Sequence, residues 1–185
     1  MGRGVGEGRV SFISRNHPQQ VAKNGALDEV DDRGTPPELY DPLHARFDFT
    51  LDVAAAPHNA KCARYFTREQ DGLAQSWAGE RVWCNPPYSS QGKGHGGLDR
   101  WVAKAWAEVD AELIVMLLPN NRCEQAWWQD GIEQQRLDGL VRVEFLRARR
   151  RFLRPGQAEI GPNERPPFGV VLAIWDRRYP QEMTA

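Results

Sequence analysis

The chain is expected to fold as an α/β domain, a mostly parallel sheet with helices on both faces, and three observations carry that expectation. Apolar stretches suited to strands alternate with helical stripes of ten or so residues. One central stretch, Leu113 to Leu118, is apolar at every position, as a strand covered on both faces must be. No internal repeat interrupts the alternation.

Composition narrows the function classes. A chain of 185 residues is one domain's worth, and 41% apolar residues with seven Trp supply a real core. No apolar run is long enough to span a membrane, and Met1-Gly-Arg-Gly opens no signal-peptide hydrophobic region. A soluble, cytoplasmic protein with no membrane contact is therefore expected, with monomer and weak dimer both left open. Cys62, Cys84 and Cys123 form no Cys-x-x-Cys pair and read as thiols, while His17, His44, His58 and His95 are scattered without ligand spacing, so no metal site is expected. A net charge of −1 means that any polyanion must be held by a local patch.

In chain order, residues 1–34 carry six Gly and no sustained apolar period, the composition of a flexible N-terminal arm, which leaves 35–185 as the folded domain. Thr35-Pro36-Pro37-Glu38 reads as a capping box opening a short helix to about Leu43. Phe47, Phe49 and Leu51 alternate with Asp48, Thr50 and Asp52, a strand pattern, and Arg81-Val-Trp-Cys is a second strand. Leu98, Trp101, Val102, Ala105, Trp106 and Val109 form one helical stripe. After the strand at 113–118, Glu124 to about Gln135 reads as a helix, and Val141–Leu146 and Val170–Trp175 as two more strands. Trp77, Trp83, Trp101, Trp106 and Trp175 fall at core-facing positions. Trp127 and Trp128 cannot both face one way, so one is expected at the surface.

The most specific feature is Asn85-Pro86-Pro87-Tyr88, placed directly after a strand, where ligands gather in such folds. Two prolines hold the backbone extended and rigid and offer no N–H. The Asn85 side-chain oxygen and the Pro86 carbonyl can then converge on one NH₂ group, with Pro87 shaping the turn and Tyr88 offering a flat face to a ring. That arrangement suits an amino group on a planar base.

Asn-Pro-Pro-Tyr after a strand resembles the catalytic motif of S-adenosylmethionine (AdoMet)-dependent amino-methyltransferases, and the surrounding chain is similar to the phage-type DNA N6-adenine methyltransferase (Dam) family. The matching segments are Thr35-Pro-Pro-Glu-Leu-Tyr, Phe49-Thr-Leu-Asp-Val-Ala-Ala, Tyr65-Phe-Thr with Asp71-Gly-Leu, Val82-Trp-Cys-Asn-Pro-Pro-Tyr-Ser, Trp101-Val-Ala-Lys-Ala and Leu117-Leu-Pro. The resemblance spans about 35–175. It implies a Rossmann-like class I methyltransferase fold, and methyl transfer from AdoMet to the exocyclic N6 of an adenine in double-stranded DNA. Whether the biological role is modification of a phage genome, restriction–modification or regulation is left open by the sequence. Such a base must be flipped out of the duplex, which costs a few kcal/mol, and stacking on Tyr88, worth about 1–3 kcal/mol, offsets much of it.

On the cofactor side the resemblance implies that Asp52, ending the first strand, accepts the AdoMet ammonium, with Ala54 and Ala55 allowing close approach. Thr35 and Pro36 match an element that precedes the first strand and touches the cofactor. Asp71 falls where related enzymes place an acidic residue near the adenosine half, and Asn59 is a further candidate. The usual Gly-x-Gly turn is absent, and Ala lacks the access of Gly to positive φ. The interval from Asp52 to Asn85 is short for two strand–helix units, so a trimmed sheet is expected there.

A basic patch appears late. Seven Arg between 136 and 154 face only Asp138 and Glu144, a local charge of +5. Arg147, Arg149, Arg150 and Arg151 are expected to contact DNA phosphates, with Ser89 and Lys93 in a glycine-rich loop that closes over the flipped base. Related motifs also act on guanine in RNA and on protein glutamine, and a catalytically silent DNA-binding module is the reading that needs no cofactor.

Overall fold

The computed structural model describes residues 33–88, 97–157, 159 and 168–178. Residues 1–32 of the expected arm therefore lie outside the described residues. The elements in order are α1 (Pro37–Phe47), β1 (Leu51–Asp52), β2 (Arg64–Tyr65), β3 (Arg81–Cys84), α2 (Leu98–Ala107) and β4 (Leu113–Pro119). A broken helix follows, made of α3 (Ala126–Trp128), a π-helical segment (Gln129–Glu133) and α4 (Gln134–Leu137), and then β5 (Arg142–Phe145) and β6 (Val170–Asp176).

These strands form one sheet of order β2-β1-β3-β4-β6-β5. The pairs β1–β2, β1–β3 and β3–β4 are parallel, and β6 runs antiparallel to both its neighbours. The α/β, Rossmann-like architecture expected from the sequence is thus present. Only the two-residue β2 lies between β1 and β3, the trimming that the short interval required.

Each face of the sheet has its own core. Leu51, Val82, Cys84, Ile114, Met116 and Leu118 pack with α2 and with Trp128 and Ile132, whereas Trp83, Leu113, Val115 and Leu117 pack with α1 and Phe152. Alternation along β3 and β4 makes this division, and β4 is buried at all seven positions because both faces are covered.

Several boundaries differ from expectation. No capping box forms at Thr35, because Pro36 is the N-cap residue and makes no side-chain cap. The first helix passes Leu43, carrying Pro42 inside it, and ends at Phe47, where Asp48 turns left-handed (φ 53°) and its N–H bonds the His44 carbonyl at 2.7 Å. Burial of Leu43 and Phe47 on the sheet outweighs the hydrogen bond that Pro42 cannot donate. Phe47 and Phe49 are buried as the alternation suggested, yet on the α1 face, and the strand itself is only Leu51–Asp52. Likewise α2 stops at Ala107, leaving Val109 in solvent at 65% exposure. Trp128 is buried and Trp127 half-buried.

The helix expected at 124–135 begins two residues late and is interrupted at Gly131. A Cβ there would lie 2.7 Å from Val102 Cγ1, and the Gly131 carbonyl accepts the Trp106 indole N–H at 2.8 Å. The π-helical segment brings this bare backbone against α2. Gly131→Ala is accordingly expected to cost about 1–3 kcal/mol in chemical unfolding, since Val102 is β-branched and cannot swing aside. An unchanged midpoint would refute this close-packing account.

Candidate active site

The sheet order reverses at β1, with β2 on one side and β3 on the other, so a crevice opens beyond the carboxyl ends of β1 and β3. Asp52 and Trp83 are register partners, which sets Asp52 and Asn85 at neighbouring strand ends.

Asn85-Pro86-Pro87-Tyr88 leaves β3 there and is held from three sides. The Asn85 amide nitrogen donates to the Arg33 carbonyl at 3.4 Å, which leaves Oδ1 as the acceptor for a ligand. Pro86 is buried behind it. The Tyr88 hydroxyl donates to the Leu117 carbonyl on β4 at 3.1 Å, and Arg122 Nη1 donates to the Tyr88 carbonyl at 3.2 Å. Burial pushes the Tyr88 phenol well above its ordinary range, so it stays a neutral donor. Its ring lies 6.0 Å from that of Phe168, tilted by 52°. Arg122, Phe168 and the Arg33 carbonyl carry no local signal of these roles, because each arrives from a distant part of the chain.

Asp52 is 3% exposed. Its Oδ1 accepts the Ala54 N–H at 3.3 Å and its Oδ2 the Lys61 N–H at 3.0 Å, so this carboxylate first organises the loop after β1. Desolvation raises its pKa to about 6, opposed by those two backbone N–H groups and the charge of Lys61. Ala54 and Ala55 are half-buried, and the Ala55 N–H bonds the Phe66 carbonyl at 3.1 Å. Asn59 fastens the same loop, its Oδ1 accepting the Ala56 N–H at 2.7 Å.

Gly72 packs its bare backbone against Val53, the residue that follows Asp52. A Cβ on Gly72 would lie 2.1 Å from the Val53 carbonyl oxygen and 3.4 Å from the Trp101 ring. The exposed Asp71 beside it adopts φ 51°, and its Oδ1 accepts the Leu73 N–H at 3.2 Å. Gly72 was legible only as part of Asp71-Gly-Leu, because its contact is with a residue 19 positions earlier.

Thr35 is 2% exposed and its hydroxyl has no hydrogen-bond partner, with Pro36 buried next to it. This segment is not loose where it is described. Gly34 and Leu153 exchange two backbone hydrogen bonds of 3.0 and 2.9 Å, tying residues 33–36 to the basic stretch.

In that stretch Arg147 and Arg149 are exposed on either side of Ala148, which has φ 61°, and Arg150 and Arg151 are half-buried before the buried Phe152. Within the stretch that carries the +5, Arg136 pairs with Glu133 at 2.6 Å and Arg142 with Glu144 at 3.1 Å. Ser89 and Lys93 lie outside the described residues. Among the described residues no cluster of three His, Cys, Asp or Glu could hold a metal ion, and no helix is long and apolar enough to cross a membrane.

Comparison with known proteins adds to this geometry. A family model described as DNA N-6-adenine-methyltransferase (Dam) matches residues 23–182. A DNA N-6-adenine-methyltransferase of Haemophilus phage HP1 (strain HP1c1) is 45% identical over 42 residues, covering 23% of this chain and 24% of its own. Another, of Escherichia phage T1, is 32% identical over 100 residues, 52% of this chain and 39% of its own. The matched stretches thus span less than half the length of either phage relative. The Escherichia coli (strain K12) protein YfdM is 36% identical over 83 residues, 40% of this chain and 85% of its own.

Proposed function

Because the chain belongs to the DNA N-6-adenine-methyltransferase (Dam) family, we propose that it transfers a methyl group from AdoMet to N6 of an adenine flipped out of duplex DNA. The observation that carries this reading is the placement of Asn85 and Pro86 at the crevice, with the Asn85 amide nitrogen spent on Arg33 and its oxygen left as acceptor. Membership of the family supports DNA adenine over RNA guanine, protein glutamine or a silent module.

The N6 lone pair of adenine is delocalised into its ring and is a poor nucleophile. Asn85 Oδ1 and the Pro86 carbonyl each accept one N–H of the amine, which localises that lone pair toward the methyl donor. Preorganised acceptors of this kind need no reorganisation during reaction, and positioning supplies much of the remaining acceleration. Pro87 fixes the turn, and Tyr88, tethered to Leu117, presents a rigid ring for the base to stack on. Arg147, Arg149, Arg150 and Arg151 grip phosphates, and Ser89 and Lys93 are assigned to DNA contact as well.

The residues around β1 fit AdoMet. Asp52 offers a buried carboxylate with lone pairs left for an ammonium, Thr35 an unmatched buried hydroxyl, and Ala54 and Ala55 small walls. Asp71 is assigned to the adenosine half, while Asn59 and Pro36 act by holding the loop and the entry to α1. When bound, AdoMet supplies an electrophilic methyl group on a sulfonium centre.

Asp52 gives this assignment a pH signature. Its folded pKa of about 6 exceeds its ordinary value of 3.8, so the free protein gains stability from protonated Asp52 below the lower value and loses it as pH rises through the upper one. An ammonium ligand needs the ionised form, which reverses the trend for binding. AdoMet affinity is expected to fall by about tenfold per pH unit below 6, with calorimetry as the readout, and to be weak and pH-independent in Asp52→Asn. A pH-independent affinity in the parent protein would remove Asp52 from the ammonium site.

The reaction is tested by mass spectrometry of nucleosides from unmethylated duplex DNA incubated with the protein and AdoMet. N6-methyladenine is the expected product. Its absence despite measurable AdoMet binding would overturn the substrate.

A further inference from the structure

Among the described residues the sheet ends on one side at β2, which is two residues long, and on the other at β5, which is four. A two-residue edge offers little to pair with, whereas β5 is long enough to template another strand, and neither Pro nor Lys blunts it. The ladder fixes which of its backbone groups are on offer. Leu146 donates its N–H to the Val170 carbonyl at 3.2 Å, and Phe145 stands opposite Val171. Antiparallel pairs alternate, so Arg142 and Glu144 turn their N–H and C=O toward β6, while Val143 and Phe145 turn theirs outward. The side chains alternate as well. Val143 packs on the core of the α2 face, and Phe145, on that same face, is 68% exposed. Arg142 and Glu144 lie on the α1 face, where both carboxylate oxygens of Glu144 accept hydrogen bonds from Arg46 of α1. Leu137 and Leu140, just before β5, are exposed too, so three of the four most exposed large apolar side chains among the described residues flank this one edge.

We propose that β5 is a self-association edge, pairing antiparallel with β5 of a second copy of this chain about a two-fold axis at Val143. The pairing continues the sheet of one copy into the other. Of the two-fold registers that bring the outward-facing groups together, this is the one that suits both faces. On the α1 face it sets Arg142 of each copy opposite Glu144 of the other. An axis at Arg142 or at Glu144 would instead oppose like charges, which is destabilising. An axis at Phe145 would set Arg142 and Val143 against residues 147–148, past the end of the strand. On the α2 face the axis at Val143 sets the two Val143 side chains together and lays the exposed Phe145 against Val141 of the second copy, beside that copy's exposed Leu140. Because β5 runs parallel to β1, β3 and β4, the crevices of the two copies open at opposite edges of the joined sheet. The arginines from 147 onward lie beyond the paired stretch.

The test is sedimentation velocity of the full chain over a concentration series, with circular dichroism to establish that each variant folds. The parent protein is expected to pass from monomer to dimer as its concentration rises. Arg142→Glu and Glu144→Arg each oppose like charges in this register and are expected to weaken the dimer by at least about tenfold. Mixed in equal amounts, the two variants are expected to recover a heterodimer, because the reversed charges again meet opposites. Phe145→Ser is expected to weaken the dimer from the other face with every charge in place, and it reports even where loss of the Arg46 pair unfolds Glu144→Arg. A parent protein that stays monomeric up to roughly 100 µM would overturn the proposal, the edge then being left open or covered by another segment of this chain. A dimer that survives Arg142→Glu and Phe145→Ser would place the interface elsewhere and overturn it equally. Failure of two folded charge-reversal variants to recover a dimer on mixing would refute the Val143 axis.

Discussion

Asn85→Ala is expected to lower the rate of methyl transfer by at least roughly 10²- to 10³-fold, while AdoMet affinity stays within about twofold. The truncation removes the one side-chain acceptor at the motif and leaves Pro86 alone to receive the amine. Nothing on the cofactor side depends on it, since Asp52 is held by the Ala54 and Lys61 N–H groups and not by Asn85. Asn85→Asp is expected to fail nearly as badly despite its similar shape. A carboxylate oxygen would then face the Arg33 carbonyl, where the parent amide donates a hydrogen bond at 3.4 Å. Single-turnover rates with duplex DNA, together with calorimetric titration of AdoMet, separate the two effects. Full activity in Asn85→Ala would remove Asn85 from the chemistry, and loss of AdoMet binding in the same variant would recast it as a structural residue.

Gly72→Ala carries the largest stability effect. Its Cβ would lie 2.1 Å from the Val53 carbonyl oxygen, a backbone atom that cannot rotate away, so the exit of β1 or the 70–74 turn must move. Overpacking against backbone is expected to cost about 3 kcal/mol or more, lowering Tm by roughly 6–12 °C for a chain of this size. The Trp77 indole, which donates to the Gly72 carbonyl at 3.0 Å and is fully buried, would be displaced with it. Gly79→Ala is the natural comparison. Gly79 has φ 71° but nothing within 4 Å of a Cβ, so only the left-handed backbone penalty of about 1 kcal/mol applies. Equal melting temperatures for the two variants would refute the packing argument. Because Gly72 abuts the residue after Asp52, its variant is also expected to weaken AdoMet binding.

The sequence by itself determined the elements whose pattern is local. β3 at Arg81–Cys84 matches its expected bounds, β4 is buried at every position as its apolar run required, and α2 begins at Leu98 as its stripe did. Asn85-Pro86-Pro87-Tyr88 was legible for a similar reason, since prolines constrain the backbone wherever they fall and a strand precedes them. Tertiary structure decided what depends on partners far along the chain. Phe47 and Phe49 are apolar in either a helix end or a strand, and only the packing of α1 on the sheet makes Phe47 helical. Gly72 looks like any loop glycine until Val53 is laid against it, and Gly131 looks like a mere flaw in a helix until Val102 is. Arg33 is the clearest case. Composition placed it in an arm, whereas the Gly34–Leu153 pairing brings its carbonyl to Asn85 across 52 residues. A sequence pattern records whether a side chain is to be buried and with what period; which atoms bury it, and which polar groups are left facing a ligand, is settled only when distant segments close on one another.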